Sequence, residues 1–380
     1  MGACDQHRGG GVAPDLDRLR HIGLAAGLSS VGVTSAQVLE PARTMLHHRR
    51  AEGLAGAMQF TYRNPDRSTD PTRIVDGARS LVVGTLGYRT PADEAPVGLV
   101  GRVARYARVD HYQRLRDGLE VMAHELRSAG HVARVVADSN ALVDRNAAWR
   151  AGLGWYGKNT NLLVPDHGSW FVLGAVITDA EIDGEGAPLA DGCGPCRACI
   201  DGCPTGAIVA PGVLDARRCI AWLVQAAEPI PRPFRRAVGD RLYGCDICQE
   251  VCPPNRIGDR RATSGGPGPE ADDDRAGDAF VDVIEVLTAD DETLLARYGR
   301  WYIANRDPDV IRRTALVILG NSGASDDPEV RRLLAYYVAS EVDLLRAHAV
   351  WAAGELGFDD LVASRADDPS ELVREEVEAR

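Results

Sequence analysis

Eight of the nine cysteines of this 380-residue chain fall between Cys193 and Cys252, and no other feature restricts its folding as much. They form two runs. The first reads Cys193-x-x-Cys196-x-x-Cys199-x-x-x-Cys203-Pro204. The second is Cys219 followed by Cys245-x-x-Cys248-x-x-x-Cys252-Pro253. Cys4 stands apart in an N-terminal tail. Residues Met1 to Gly11 lack the apolar stretch of a secretory signal, so the expected compartment is the cytoplasm, where thiols stay reduced and disulfides are a poor use for them. Zinc favours two separated Cys-x-x-Cys pairs or mixed Cys/His sets. Three cysteines at two-residue spacing, with a fourth before proline, match instead the bacterial ferredoxin run, whose fourth cysteine serves the other cluster. The spacing therefore predicts two 4Fe-4S clusters, one on Cys193, Cys196, Cys199 and Cys252, the other on Cys203, Cys219, Cys245 and Cys248. Two adjacent clusters make a short wire for single electrons; a purely structural role is the alternative.

The remaining composition is that of a soluble globular protein, 45% hydrophobic and 26% charged. No apolar run is long enough to span a membrane. The formal net charge of −12 argues against a general nucleic-acid coat protein. The charge is uneven, however. Residues 270–292 hold ten acids against Arg275, residues 193–261 hold ten arginines against seven acids, and residues 99–116 hold five arginines against Asp110. Among 43 Lys+Arg residues only Lys158 is a lysine. A compact ammonium is not a planar guanidinium, so a lysine that has not been exchanged for arginine points to a specific job at Lys158, against chance survival as the bland alternative.

Residues 14–27 read as a helix. Apolar runs at Ser80–Tyr88, Val103–Ala107, His131–Ala137 and Trp170–Thr178 read as strands, and His111–Ala129 and Leu142–Ala151 as helices between them. The expected class is α+β and multidomain. Residues 1–188 form an α/β domain with residues 1–13 as a disordered tail, 189–262 a ferredoxin-like double-cluster domain, 263–279 a linker, and 280–380 a helical domain. In the last, Arg312/Ala315 and Arg346/Ala349 share one offset, and Gly320 and Gly357 close their segments; stacked HEAT-like repeats are expected, with a plain helical bundle as the alternative. Gly152-Leu153-Gly154 lacks the third glycine of a dinucleotide fingerprint. An Asp-x-His-x-x-Gly string from Asp5 to Gly10 resembles a cobalamin-ligand motif but follows no strand and is read as coincidence.

Three stretches carry a family resemblance: VADSNALVDRNAAWRAGLGWYGKNTNLLVPDHGSWFVLG (136–174), RLYGCDICQEVCPPN (241–255) and DPTRIVDGARSLVV (70–83). With the double cluster and helical tail, they resemble the epoxyqueuosine reductases over nearly the whole chain from about residue 14. The resemblance implies a nitroreductase-like α/β domain holding base-off cobalamin beside the clusters, related to reductive dehalogenases. It implies reduction of epoxyqueuosine to queuosine at the tRNA wobble position. Asp138 takes the place of the family's proton-donating aspartate; its bland alternative is a cap for the helix at Leu142–Ala151. Gly157, Lys158 and Asn159 match the family's Gly-Lys-Asn segment and, with Asp138 and Asp246, are candidate cofactor contacts. Arg217 and Arg218 are candidates for tRNA phosphates. The implied partners are epoxyqueuosine-bearing tRNA and a low-potential donor such as a flavodoxin or ferredoxin; the expected state is a monomer without membrane contact.

The chain departs from the family pattern at Ala175, at Val224 and Ala226, and in the order Asp110-His111-Tyr112. These changes spare the cysteines and bear on the substrate. A related reductase of a small molecule, and a non-catalytic electron-transfer module, are the alternatives.

Overall fold

The structure is a computed structural model that describes residues 15–90, 94–165, 167–263 and 279–379, with backbone alone for 260–263. Cys4, the Asp5-to-Gly10 string, the 1–13 tail and the body of the expected 263–279 linker lie outside the described residues. Among those described, no helix is long and apolar enough to cross a membrane.

The N-terminal part runs α1 (Leu16–Ala25), β1 (Ser30–Ser35), α2 (Glu40–Ala51), α3 (Pro65–Ser68), β2 (Ser80–Gly87), β3 (Val100–Val103), α4 (His111–Ser128), β4 (Ala133–Ala137), α5 (Asp144–Arg150), β5 (Trp155–Tyr156), β6 (Leu162–Leu163) and β7 (Phe171–Thr178). Its main sheet has the order β1-β2-β7-β4 with every neighbouring pair antiparallel. The central strands β2 and β7 are apolar at almost every position because both faces are covered. Leu81, Val83, Ala175 and Ile177 pack with Leu39, Leu142 and Ala147 on one side. Val82, Val172 and Val176 meet Leu115, Leu119 and Met122 of α4 on the other. Gly84 and Gly174 pair across β2 and β7. A Cβ on either would lie within 2.9 Å of a Leu119 methyl, so these glycines let α4 settle onto the sheet.

Three expectations change. The run Val103–Ala107 is not a strand: β3 ends at Val103, and Arg105–Ala107 form a 3-10 turn. The backbone N–H of Arg105 is drawn to the Asp246 carboxylate at 2.7 Å rather than to a neighbouring strand. β1 and α2 escape the periodicity reading; β1 is an edge strand with only two valines among Ser, Gly and Thr. Gly320 does not close a helix but lies inside one, where a Cβ would be 2.6 Å from the ring of Trp351; Gly357, at φ 78°, does terminate its helix.

Residues 189–263 contribute α6 (Ala198–Asp201), β8 (Ile208–Ala210), β9 (Val213–Leu214), α7 (Ile220–Leu223), α8 (Arg232–Val238), β10 (Arg241–Tyr243), α9 (Ile247–Glu250) and α10 (Pro253–Thr263). The C-terminal part has β11 (Phe280–Asp282), α11 (Val283–Thr288), α12 (Asp291–Tyr298), α13 (Asp309–Asn321), α14 (Pro328–Val338), α15 (Asp343–Glu355), α16 (Asp359–Ala363) and α17 (Glu371–Glu378). A second sheet, β10-β3-β11, takes one strand from each third of the molecule. One apolar core runs from Val103 through Ile220, Val224 and Leu242 to α13 and α15.

The shared offset in the tail has a structural meaning. Arg312 pairs with Asp309 at 2.7 Å and donates to the Ala289 carbonyl; Arg346 pairs with Asp343 at 2.8 Å and donates to the Ser340 carbonyl. Each arginine thus ties its helix to the end of a preceding one. Arg313, fully buried, faces the opposite way. Its guanidinium donates to the carbonyls of Ala226, Glu228 and Leu223, at 2.6, 2.6 and 3.0 Å, and holds the segment after α7 against α13. Arg313→Met should strand those acceptors and cost about 2–4 kcal/mol, read as a lower denaturant midpoint. Arg331→Met, which breaks an exposed pair with Asp360 and a contact over the Phe358 ring, should lower the midpoint far less; equal effects would contradict this role for Arg313.

Candidate functional site

All eight described cysteines are free thiols, and their mutual electrostatics sort them into two sets. Burial pushes the Cys252 thiol up to about 11, and the neighbours that add to this are Cys193, Cys199 and Cys196. Cys199 is likewise raised by burial and then by Cys193 and Cys196. In the other set, burial raises Cys219, with Cys203 beside it, and Cys245 to about 12, with Cys219 beside it. Cys248 is raised by burial, then by Cys245 and Cys219, and it also senses Cys199 across the two sets. Cys203 goes the other way. Burial raises it, but hydrogen bonds from the Thr205 hydroxyl and from backbone N–H groups, including that of Ala207 at 3.2 Å, bring it below the usual thiol value. Buried thiols that raise one another's pKa are poorly placed to ionise alone; a bound cationic centre is what offsets such a set. No three His, Cys, Asp or Glu groups among the described residues close to the spacing of a single ion.

The hairpin β5–β6 reaches over both cysteine loops. Lys158 Nζ donates to the carbonyls of Gly194 and Cys196 at 2.6 and 2.8 Å. The next side chain, buried Asn159, donates from Nδ2 to the Cys248 carbonyl at 3.2 Å. Its Oδ1 accepts from Asn161 N–H, and Thr160 takes a left-handed φ of 68° to make the turn. Gly157 is hemmed in by Leu163 and by Asn159, whose Oδ1 would lie 2.7 Å from any Cβ. The hydrogen bonds of Lys158 and Asn159 thus run to the cysteine loops. An ammonium carries its donors on one nitrogen and suits two converging carbonyls better than a flat guanidinium does.

Three further carboxyl groups have raised pKa values, Asp138 and Asp144 as electrostatic neighbours and Asp246 beside the second cysteine run. Asp138 follows β4 with a left-handed φ of 49° and does not cap α5, whose capping residue is Val143. Its carboxyl is solvent-accessible, yet desolvation by the surrounding protein outweighs the attraction of Arg116, and with Asp110 raises its pKa. Asp144 is raised well above the usual range by burial and then by Asp138, against Arg145. Asp246 is pushed up to about 6 by burial, against the Arg105 N–H that binds its Oδ2. Asp144 Oδ1, Asn146 Oδ1 and Asp246 Oδ1 are buried with no hydrogen-bond partner among the described residues. Such orphaned acceptors call for a donor that the protein does not supply. Tyr112 senses both Asp138 and Asp144, and its own pKa is raised chiefly by burial. His111 is buried against the Tyr88 ring, 5.4 Å between centroids. Ala175, Val224 and Ala226 are buried packing residues, and Ala175 sits in β7 between Val83 and Val136, where a carboxylate would be stranded.

The two arginines beside Cys219 have protein partners. Arg217 forms a two-pronged pair with Asp215 at 2.9 and 2.8 Å, so a phosphate would have to compete with that carboxylate. Arg218 donates to the Thr205 carbonyl at 3.0 Å and braces the Cys203 loop. Asp144, Asn146 and Arg105 were not singled out from the sequence. Their one signal was proximity to VADS or to the basic stretch at 99–116.

Comparison with known proteins gives the following. A family model described as the 4Fe-4S double cluster binding domain matches residues 192–255. An epoxyqueuosine reductase of Bacillus anthracis is 31% identical over 343 residues, covering 88% of this chain and 87% of its own. A crystal structure of epoxyqueuosine reductase with a tRNA-Tyr epoxyqueuosine-modified stem loop superposes with TM-score 0.84 at 26% identity, over 95% of this chain and 96% of that one. A Bacillus subtilis epoxyqueuosine reductase, with its catalytic aspartate loop swung out of the active site, gives 0.83 at 26% identity, over 95% and 96%.

The hairpin's hydrogen bonds make a specific expectation. In anaerobically reconstituted protein, Lys158→Met should lose iron to a chelator several-fold faster than wild type, because two carbonyls of the first cysteine loop lose their donor. Lys158→Arg should recover only part of the protection. Iron release at the wild-type rate in both variants would show that the hairpin does not hold the loop.

Proposed function

The chain belongs to the epoxyqueuosine reductase family, and we propose that it reduces epoxyqueuosine to queuosine at the wobble position of tRNA. The observation that carries this is a carboxyl with a raised pKa, Asp138, held in a left-handed loop after β4 of a chain whose eight described cysteines gather in two sets. Opening the epoxide and restoring the double bond consumes two electrons and two protons and releases the oxygen as water. The thiol sets fit two 4Fe-4S clusters, on Cys193, Cys196, Cys199 and Cys252 and on Cys203, Cys219, Cys245 and Cys248, which supply electrons singly. Base-off cobalamin is the proposed second cofactor. Asp144, Asn146 and Asp246 offer buried acceptors without donors, which suits a ligand rimmed with amide N–H groups. When bound, it supplies a low-potential cobalt centre.

The protein's own part is acid catalysis and placement. Asp138 donates a proton to the epoxide oxygen as its bond to carbon breaks; at the raised pKa the carboxyl stays protonated to higher pH than an ordinary aspartate. Asp138, left-handed in a loop, is the counterpart we propose for the catalytic aspartate loop that is swung out of the active site in the Bacillus subtilis relative. Gly157, Lys158 and Asn159 hold the cysteine loops next to the cofactor. The wider reading keeps residues 1–188 as a nitroreductase-like cofactor domain, 189–262 as the ferredoxin-like domain and 280–380, joined by the 263–279 linker, as HEAT-like repeats. The matched Arg–Asp ties at Arg312 and Arg346 support the last. The reading also keeps a flavodoxin or ferredoxin as electron donor and a cytoplasmic monomer as the working form.

The test is an anaerobic assay with added cobalamin, a chemical reductant and an epoxyqueuosine-bearing stem loop. Wild type should form queuosine. Asp138→Asn keeps size and polarity but cannot give a proton, so its rate should fall by about 10²- to 10⁴-fold. The wild-type rate should decline as pH rises through the raised pKa of Asp138, and that limb should be missing from the variant. A cofactor-loaded Asp138→Asn protein with the wild-type rate would remove Asp138 from the mechanism.

A further inference from the structure

A cavity of about 420 Å³ lies beside the Asp138 loop, lined by Phe60, Arg63, Asn64, Arg67, Ser68 and Asn140. Its volume is within the roughly 300–1,000 Å³ of small-ligand sites. It is not part of the carboxyl and thiol groups described above, and its lining has an unusual make-up. Phe60 is an apolar ring left 45% exposed. Arg63 and Arg67 are exposed, and neither is engaged by a carboxylate among the described residues. This contrasts with Arg217 and with the many arginines of the molecule that do pair with carboxylates. Two amide side chains, Asn64 and Asn140, and Ser68 complete the polar lining, with Asn64 Oδ1 accepting from the Arg67 N–H and its amide N–H groups left to donate. The surrounding segment, 43–73, carries six arginines against three acids in a chain whose net charge is −12.

The cavity is tied mechanically to the acid. Ser68 Oγ donates to the Asn140 carbonyl at 2.7 Å, and Val143 N–H donates to the Ser68 carbonyl at 3.0 Å. Asn140 is two residues from Asp138, a chain distance of at most about 7 Å. Whatever occupies the cavity is therefore the immediate neighbour of the group on which Asp138 acts. An exposed ring, two guanidinium groups and two amides are the parts with which proteins take an unstacked nucleotide: stacking on the base, charge for the phosphate, hydrogen bonds to the base edge.

Resting on the function proposed above, we propose that this cavity holds the tRNA nucleotide adjacent to the modified one, its base stacked on Phe60 and its phosphate between Arg63 and Arg67. The pocket would splay the anticodon loop so that the modified base alone reaches Asp138. The same chemistry, an aromatic base carrying a phosphodiester, also occurs in the nucleotide tail of cobalamin, and the test separates the two sources.

Full-length reconstituted protein is titrated with a fluorescent unmodified anticodon stem-loop RNA over a series of salt concentrations, and separately with cobalamin by absorbance. Phe60→Leu keeps an apolar side chain but removes the ring face. It should weaken RNA binding by about 5- to 150-fold, the range for removing one base–aromatic stack. The double variant Arg63→Gln/Arg67→Gln should lower the slope of log affinity against log salt by about 0.7 for each phosphate that is no longer neutralised. Cluster absorbance and cobalamin affinity should match wild type in both. Wild-type RNA affinity and salt slope in the variants, in an enzyme whose wild type forms queuosine, would overturn this inference and leave the proposed function standing. Loss of cobalamin binding with RNA binding intact would assign the cavity to the cofactor's tail and overturn it too. A wild type that forms no queuosine and binds no stem loop would overturn both.

Discussion

The return of Cys252 to the loop of Cys193, Cys196 and Cys199 is the interaction on which the rest of the molecule hangs. The chain between the two runs must double back on itself, so that each run closes the other's set. Cys252 is buried and the other thiols are half-buried, and burial with the neighbouring thiols raises the pKa of Cys199, Cys219, Cys245, Cys248 and Cys252. As bare thiolates they would repel, so the crossing holds only where positive charge sits between them. From this knot the structure branches in two directions. Through Lys158 and Asn159 it grips the hairpin of the sheet domain. Through Cys219 and the short helix after it, the knot meets Arg313 and the helical tail. The three-stranded sheet that borrows from all three regions closes the frame.

The chemistry proposed for the site follows from where water is excluded. Asp138, Asp144 and Asp246 all have raised pKa values, and burial is the leading cause each time. Of the three, Asp138 is the most exposed, and it stands at the end of a sheet strand in a left-handed backbone conformation that few residues tolerate. A group that can both hold a proton and reach an incoming substrate suits the task; Asp144 and Asp246, each with a buried unpaired oxygen, suit the holding of a cofactor.

Much of this was legible in the sequence where the determinants are local. Cysteine spacing is a local property and announced the double-cluster segment matched over residues 192–255. The buried strands at Ser80–Gly87 and Phe171–Thr178 and the helix His111–Ser128 show as apolar runs or periods. What failed was set by distant partners. Val103–Ala107 has strand composition, but Asp246 of the second cysteine run captures the Arg105 N–H and turns the chain. Arg218 donates to the Thr205 carbonyl thirteen residues earlier, a partner that no local pattern announces. Lys158 drew notice by being the only lysine, yet its carbonyl partners lie beyond the reach of any local pattern. β1 carries too few apolar residues to announce itself.

The crossed pairing can be tested by counting iron in anaerobically reconstituted cysteine variants. Wild type should hold about eight iron atoms per chain, as two four-ligand sets require. Cys193→Ser/Cys252→Ser removes two ligands of a single set and should retain about four. Cys245→Ser/Cys252→Ser touches both sets and should retain close to none. The reverse order, with the second pair keeping about four iron atoms and the first keeping none, would show that each run closes on itself and would contradict the crossing from which this structure is built.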